Sequence, residues 1–298
     1  MLNNRNLVLA IALIMVVIYH FPCNLFGRFN IGYIGVDIFL FYSGYGICKS
    51  LLKNKTTNFY RNRLKRIFPM FAVFTLCMAA LKGTLNDISL LLQQITTLAF
   101  YVNPDNATDW YLSSLFLLYL LSPIFLFIVS KCKQWAYVLI LLVIFLILHF
   151  VEVSMWQYQC LIGRIPIYIL GIFYSYSKIE IISFKYSLPL FILGCFFWFY
   201  GYRYLGTDLM ALLIIQLIIH CFKRTQLPDS QILYYVGAHS LEFYIGNVIA
   251  LQMQHLFSES LLSVCVFNIL GTIILGYLLA LLNERILTPF VNLIIEKR

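Results

Sequence analysis

Charge is what this chain lacks most. Lys, Arg, Asp and Glu make up 11% of its 298 residues, against 62% hydrophobic and 17% aromatic side chains. A soluble fold of this length needs about twice that charge to coat its surface, so a soluble protein is excluded. Redox and metal signatures are missing as well. Eight cysteines lie scattered, mostly in apolar runs, with no CxxC and no His/Cys ligand spacing; they read as small core residues. P-loop, Rossmann glycines and GxSxG elbow are absent. No linker, repeat or low-complexity tract divides the chain, so residues 1–298 are read as a single integral-membrane domain. The formal charge of +9 is not a nucleic-acid signature, because most basic residues fall in short loops between apolar segments.

What the chain has instead is apolar runs. Ten candidate spans lie at roughly 7–26, 31–52, 67–82, 110–130, 135–151, 157–176, 186–202, 208–222, 239–257 and 261–283. They predict an all-α, polytopic membrane helical bundle of about ten transmembrane helices. The first run has no small-residue cleavage site after it and is read as span one. Segment 88–102 is interrupted by Gln93, Gln94, Thr96 and Thr97 and is expected to be re-entrant or interfacial. With the N-terminus inside, the cytoplasmic segments receive Arg5, the loop Lys53 to Arg66, Lys131, Lys133, Lys178, Lys185, Lys223, Arg224, Arg285, Lys297 and Arg298. The outer side receives only Arg28, Lys82, Arg164 and Arg203. This bias predicts an even number of spans with both termini cytoplasmic. From Glu284 onwards the tail reads as a short amphipathic helix at the inner surface.

A charged group inside a span is expensive unless paired or solvated, so each intramembrane polar residue is a candidate. His20 ends the run IALIMVVIYH, roughly 21 Å along a helix entered near residue 6. Asp37 enters span two about six residues from its outer end, at similar depth. Antiparallel neighbours would set carboxylate against imidazole and fix the ring's tautomer, as a general base requires. Arg164, in GRIPIYILG, lies near the outer end of span six and would close the same cluster. Snorkelling to the outer headgroups is the competing account of these residues. The basic loop Arg61, Arg63, Lys65, Arg66 stands at the start of span three, where guanidinium groups would hold a phosphorylated donor. Ordinary positive-inside charge, with attraction to anionic lipid, explains it as well. His149 and His220 read as interfacial, and His239 and His255 stand at opposite ends of span nine. Glu242 gives that span a polar entry, and Trp110, Tyr111 and Trp156 read as outer-interface aromatics.

The chain resembles the acyltransferase-3 family of bacterial integral-membrane sugar O-acyltransferases. The resemblance rests on VVIYH ending at His20, GVDIFLFYSGYGI from Gly35 and FYRNRLKRIFPMF from Phe59. WYLSSLFLLYLLSP from Trp110, GRIPIYILGI from Gly163 and VGAHSLEFYIG from Val236 extend it over nearly the whole chain. It implies about ten spans in the bacterial cytoplasmic membrane, and an acyl-CoA donor, usually acetyl-CoA, entering from the cytoplasm. The acceptor is a hydroxyl of a cell-surface or lipid-linked saccharide, with envelope glycan-assembly proteins as candidate partners. His20 matches the family's essential histidine, and Arg63 and Arg66 its basic loop. On this resemblance the CoA phosphates would rest on Arg61, Arg63 and Arg66. His20, oriented by Asp37, would take the hydroxyl proton, and Arg164 or Ser43 would stabilise the oxyanion. Three positions depart from the family pattern: Leu9 where many members carry Arg or Lys, Leu115 where many carry Glu, and Asn247 where many carry His. Two other functions stay open on such a scaffold. One is transport or export of a polysaccharide or its lipid-linked precursor; the other is a structural role in envelope assembly.

Overall fold

The computed structural model describes residues 4–21, 31–151, 155–179, 183–225, 231–257 and 260–296. Arg28, Lys297, Arg298 and the outer end of the first predicted span lie outside the described residues, as do the side chains of Lys223, Arg224 and His255. The described residues are 89% helix, with no strand among them. In order the helices are α1 (Arg5–Tyr19), α2 (Ile31–Lys53), α3 (Thr56–Leu81), α4 (Ile88–Ile95), α5 (Leu98–Val102), α6 (Trp110–Cys132), α7 (Gln134–Phe150) and α8 (Trp156–Gly163). There follow α9 (Ile165–Tyr176), α10 (Phe184–Phe199), α11 (Arg203–Thr225), α12 (Gln231–Ala238), α13 (Ser240–Phe257), α14 (Leu261–Leu282), a π-helical turn (Asn283–Leu287) and α15 (Thr288–Glu296).

Five stretches among the described residues are long and apolar enough to cross a membrane: α2, α3, α6, α11 as far as Cys221, and Leu262–Leu293 running through the π turn. Helices α1, α10 and the Tyr137–Phe150 part of α7 are apolar but shorter. The outward surface is itself apolar. Phe199 is 80% exposed, and Phe150 and Leu262 are each 76% exposed, a distribution that lipid accommodates and water does not.

The sequence reading is corrected at several elements. The predicted basic loop is helical: α3 starts at Thr56, so Arg61 to Arg66 fall on its second and third turns. Pro69 lies inside that helix; lacking an N–H, it leaves the Lys65 carbonyl without its helical partner. The predicted span 157–176 is two helices, α8 and α9, divided at Arg164. Segment 88–102, expected to be re-entrant or interfacial, is two short helices with Thr97 at φ 62° between them, which leaves that expectation standing.

The chain divides into two compact units. The first comprises Met1–Val16, Phe29–Thr56 and Ser114–Ala238, and the second Val17–Arg28, Thr57–Ser113 and His239–Arg298. In the first, α2 pairs with α9, and α10 with α11. Glycine makes the α2–α9 approach possible. A side chain at Gly44 would strike the Tyr168 carbonyl, and one at Gly171 would strike the Phe41 carbonyl. Such small-residue contact is how helices associate in lipid, where hydrophobic burial gains nothing. Ile38, Phe41, Tyr42, Tyr168 and Ile172 are buried around it. In the second unit the dominant pair is α13 with α14, where Gly246 meets the backbone of Gly276. Phe59, Met70, Phe71 and Phe74 form the buried stripe of α3.

Candidate active site

His20 sits on the turn that ends α1, its N–H on the Val17 carbonyl at 3.2 Å. It is half-buried, beside the Tyr19 ring at 5.6 Å. Its Nδ1 lies 2.9 Å from Oδ1 of Asn247, which is wholly buried on α13. Asn247 Nδ2 donates to Asn268 Oδ1 at 2.8 Å and to Thr272 Oγ1 at 2.9 Å. Asn268 and Thr272 stand one turn apart on α14, and the Thr272 hydroxyl donates to the Asn268 carbonyl at 2.6 Å. The close α13–α14 approach lets these short side chains meet. The expected pairing of His20 with Asp37 is therefore replaced. The ring is held by a neutral amide, and the carboxylate is matched by a cation of its own.

That cation is Arg164. In the first unit, Arg164 Nε donates to Asp37 Oδ1 at 2.9 Å, with side chains 1% and 0% exposed. Its Nη1 donates to the Cys160 carbonyl at 3.1 Å. Its guanidinium carbon lies 4.9 Å from the Tyr33 ring centre and 5.1 Å from that of Tyr204. The cation is thus neutralised on one edge and covered by two aromatic rings. Asp208, on α11, joins the cluster. It is fully buried, and its Oδ2 accepts the Ile167 N–H at 3.3 Å, capping the first turn of α9. The helix break at Arg164 thus frees the Ile167 N–H, which Asp208 accepts. Ser43, half-buried and two residues from the Phe41 core position, pairs its hydroxyl with Tyr119 at 2.8 Å. A cavity of about 300 Å³ is lined by Leu148, Gln159, Tyr200, Tyr202, Arg203 and Tyr204. The Tyr202 hydroxyl is held by His149.

On α3, Arg63 and Arg66 are three residues apart and Arg61 and Lys65 four apart, so helical geometry gathers them as two basic stripes. Arg61 and Arg66 are exposed, and Arg63 lies 5.7 Å over the Phe59 ring. Neighbouring cations of this kind repel unless an anion bridges them, and guanidinium pairs suit phosphate.

Sequence reasoning missed several polar residues. Asp109 caps α6, accepting the Leu112 N–H at 2.7 Å, and takes the Tyr244 hydroxyl at 2.9 Å. Burial pushes its carboxyl above the usual carboxylate range, opposed by those hydrogen bonds. Tyr244 packs on Tyr111, which is buried rather than interfacial. Glu242, which the sequence did mark as a polar entry, is buried at the start of α13 and takes a hydrogen bond from Asn283, while His239 Nε2 pairs with Glu284 at 3.0 Å. Asn268 and Thr272 had one legible signal, a polar pair at i and i+4 in an otherwise apolar run.

The model of the acyltransferase-3 family, described as an acyltransferase domain, matches residues 6–283. The chain belongs to the acyltransferase-3 family. No curated protein and no solved structure matches it. As an acyltransferase-3 protein with several apolar helices, it is a multi-pass membrane acyltransferase.

Proposed function

We propose that this protein is an O-acyltransferase of the bacterial cytoplasmic membrane. It moves an acyl group, acetyl in the first instance, from cytoplasmic acyl-CoA to a hydroxyl of a cell-surface or lipid-linked saccharide. The whole chain acts as one domain with about ten spans and both termini cytoplasmic. The observation that carries the reading is the half-buried His20, bound through Nδ1 to a neutral amide, in an acyltransferase-3 chain. A ring held this way suits a general base at neutral pH. His20 takes the acceptor's hydroxyl proton as the oxygen bonds to the thioester carbon. The C–S bond then breaks, and the departing CoA sulfur receives the proton from His20.

The two stripes on α3 support phosphate binding, with Arg61, Arg63 and Arg66 as the donor contacts. Of the two oxyanion candidates, Ser43 keeps a half-exposed hydroxyl next to Tyr119. Arg164, committed to Asp37, is assigned to holding α2 against α9. The aromatic and polar lining of the cavity at Tyr200 to Tyr204 is of the kind sugar rings take, and it supports a saccharide acceptor. The test is transfer of label from radiolabelled acetyl-CoA to an envelope-glycan extract by the purified protein in liposomes. Label is expected in glycan with wild type and not with His20→Ala; transfer by His20→Ala overturns the reading.

The intramembrane Asp37, Arg164 and Asp208 favour a second reading, glycan export on the same scaffold. An exporter tolerates Arg63→Ala with Arg66→Ala, whereas a CoA-dependent enzyme loses donor affinity.

A further inference from the structure

The hydrogen-bond chain behind His20 has a direction, and one hydroxyl sets it. Thr272 has a single hydroxyl hydrogen, and its oxygen lies 2.6 Å from the Asn268 backbone carbonyl, which can only accept. The hydrogen is committed there, so Thr272 Oγ1 can only accept from its other neighbour, the Asn247 amide at 2.9 Å. The atom of Asn247 facing Thr272 must then be the nitrogen, and its second hydrogen goes to Asn268 Oδ1 at 2.8 Å. The amide oxygen is left facing His20 Nδ1 at 2.9 Å. An amide oxygen cannot donate, so Nδ1 must carry a hydrogen, and the neutral ring keeps its lone pair on Nε2. Reversing the Asn247 amide would set oxygen against oxygen at both Thr272 Oγ1 and Asn268 Oδ1.

We propose that Asn247, backed by Thr272 and Asn268, is a positioning residue that holds His20 as its Nδ1–H tautomer and makes Nε2 the nitrogen that accepts the acceptor's proton. The proposal rests on the reading of His20 as the general base. It gives a function to a position where the sequence departs from its family. The support is neutral, unlike a carboxylate, and so fixes the tautomer without adding charge to the ring. Among the described residues of this unit, the side chains recorded against the His20 ring are Tyr19 and Asn247, neither of them charged. Asn247 and Asn268 are fully buried and Thr272 nearly so, so losing one partner strands the polar atoms it served.

Two readouts test this on the full-length protein in nanodiscs. The first is nitrogen NMR of histidine-labelled protein, with His20→Ala identifying the His20 signals. At neutral pH the wild type is expected to show a protonated Nδ1 and an unprotonated Nε2; the opposite tautomer overturns the proposal, whatever the protein catalyses. Thr272→Val is isosteric and leaves the His20 contact in place, and it is expected to mix the two tautomers. An unchanged spectrum in that variant removes Thr272 from the relay and overturns the direction argued above.

The second readout is acetyl transfer to the glycan extract across a pH series. Asn247→Leu is expected to lower kcat by about 10- to 100-fold, with KM for acetyl-CoA little changed. Asn247→Asp accepts the same hydrogen, and the Asn268 amide can turn its Nδ2 towards the second carboxylate oxygen, so this variant is expected to recover most of the rate. Its negative charge favours the protonated ring, so the acid limb of kcat/KM moves to higher pH. Wild-type kcat and pH profile in Asn247→Leu overturn the proposal. So does an Asn247→Asp enzyme that is folded but no faster than Asn247→Leu. Transfer by His20→Ala is a different failure: it overturns the base assignment, while the NMR result still decides whether Asn247 sets the tautomer.

Discussion

The buried charged residues of this protein have distinct physical tasks, and the tasks differ in cost. Asp37 and Arg164 are both almost fully buried, so each is the other's main compensation for lost solvation. Removing one partner of such a pair costs about 3–5 kcal/mol because the remaining charge is stranded. Asp37→Ala is therefore expected to collapse the yield of folded protein, and Asp37→Leu combined with Arg164→Met to recover part of it. Thermal unfolding in detergent checks both; equal loss in single and double variants would refute the pairing argument. Asp208→Ala, which removes a helix cap, is expected to cost about 1 kcal/mol and to be the milder lesion. His20, Asp37 and Arg164 were legible in the sequence because an isolated polar residue in an apolar run stands out. Their partners were not. The choice of Asn247 rather than Asp37 for His20 depends on which helices touch, and residue spacing carries no record of that. Leu9 and Leu115 are buried apolar side chains, so those positions serve packing.

At the scale of elements, two features decide the architecture: where helices stop, and where they come close. The sequence pattern located most apolar helices but misjudged their ends, because hydropathy registers lipid-facing residues and not backbone hydrogen bonding. Helix α3 continues through a basic stretch that reads as a loop, since nothing from Thr56 to Phe68 breaks a helix. Conversely, the apolar run 157–176 hides a break at Arg164, where Pro166 favours a new first turn and Asp208 supplies its cap. Close approach has its own test. A side chain at Gly44 meets the backbone of α9, whereas one at Gly46, half a turn on, meets nothing within 4 Å. Gly44→Val is expected to destabilise by about 1–3 kcal/mol and Gly46→Val by far less. Thermal unfolding of the pair, in the same detergent, separates a packing effect from a general β-branched penalty. On α3, Arg63→Ala with Arg66→Ala is expected to raise KM for acetyl-CoA about tenfold or more, with the gap to wild type narrowing at high salt. A salt-independent change would point to the Arg63–Phe59 contact and helix packing instead.

For the whole molecule, charge bias and helix length pull in different directions. Five stretches are long enough to cross unaided, while α1 has fifteen residues, about 22 Å of rise against a hydrocarbon core of about 30 Å. Local thinning and snorkelling close a gap of that size at modest cost, so length alone does not remove the shorter helices from the count of spans. The distribution of Lys and Arg is the stronger argument, because orientation during insertion is set by cations in short loops. It predicts that the α2–α3 connection lies inside and the α10–α11 turn outside. Single cysteines at Asn54 and Gly201, in a chain stripped of its native cysteines, test this with a membrane-impermeant maleimide. Gly201→Cys is expected to label in intact cells, and Asn54→Cys only after permeabilisation. Both connections labelling from the same side would mean that the helices between them cross an even number of times, which the ten-span arrangement forbids. The outcome bears on chemistry as well as topology. The basic face of α3 begins beside Asn54, and only a cytoplasmic position for that end gives it access to a soluble acyl-CoA.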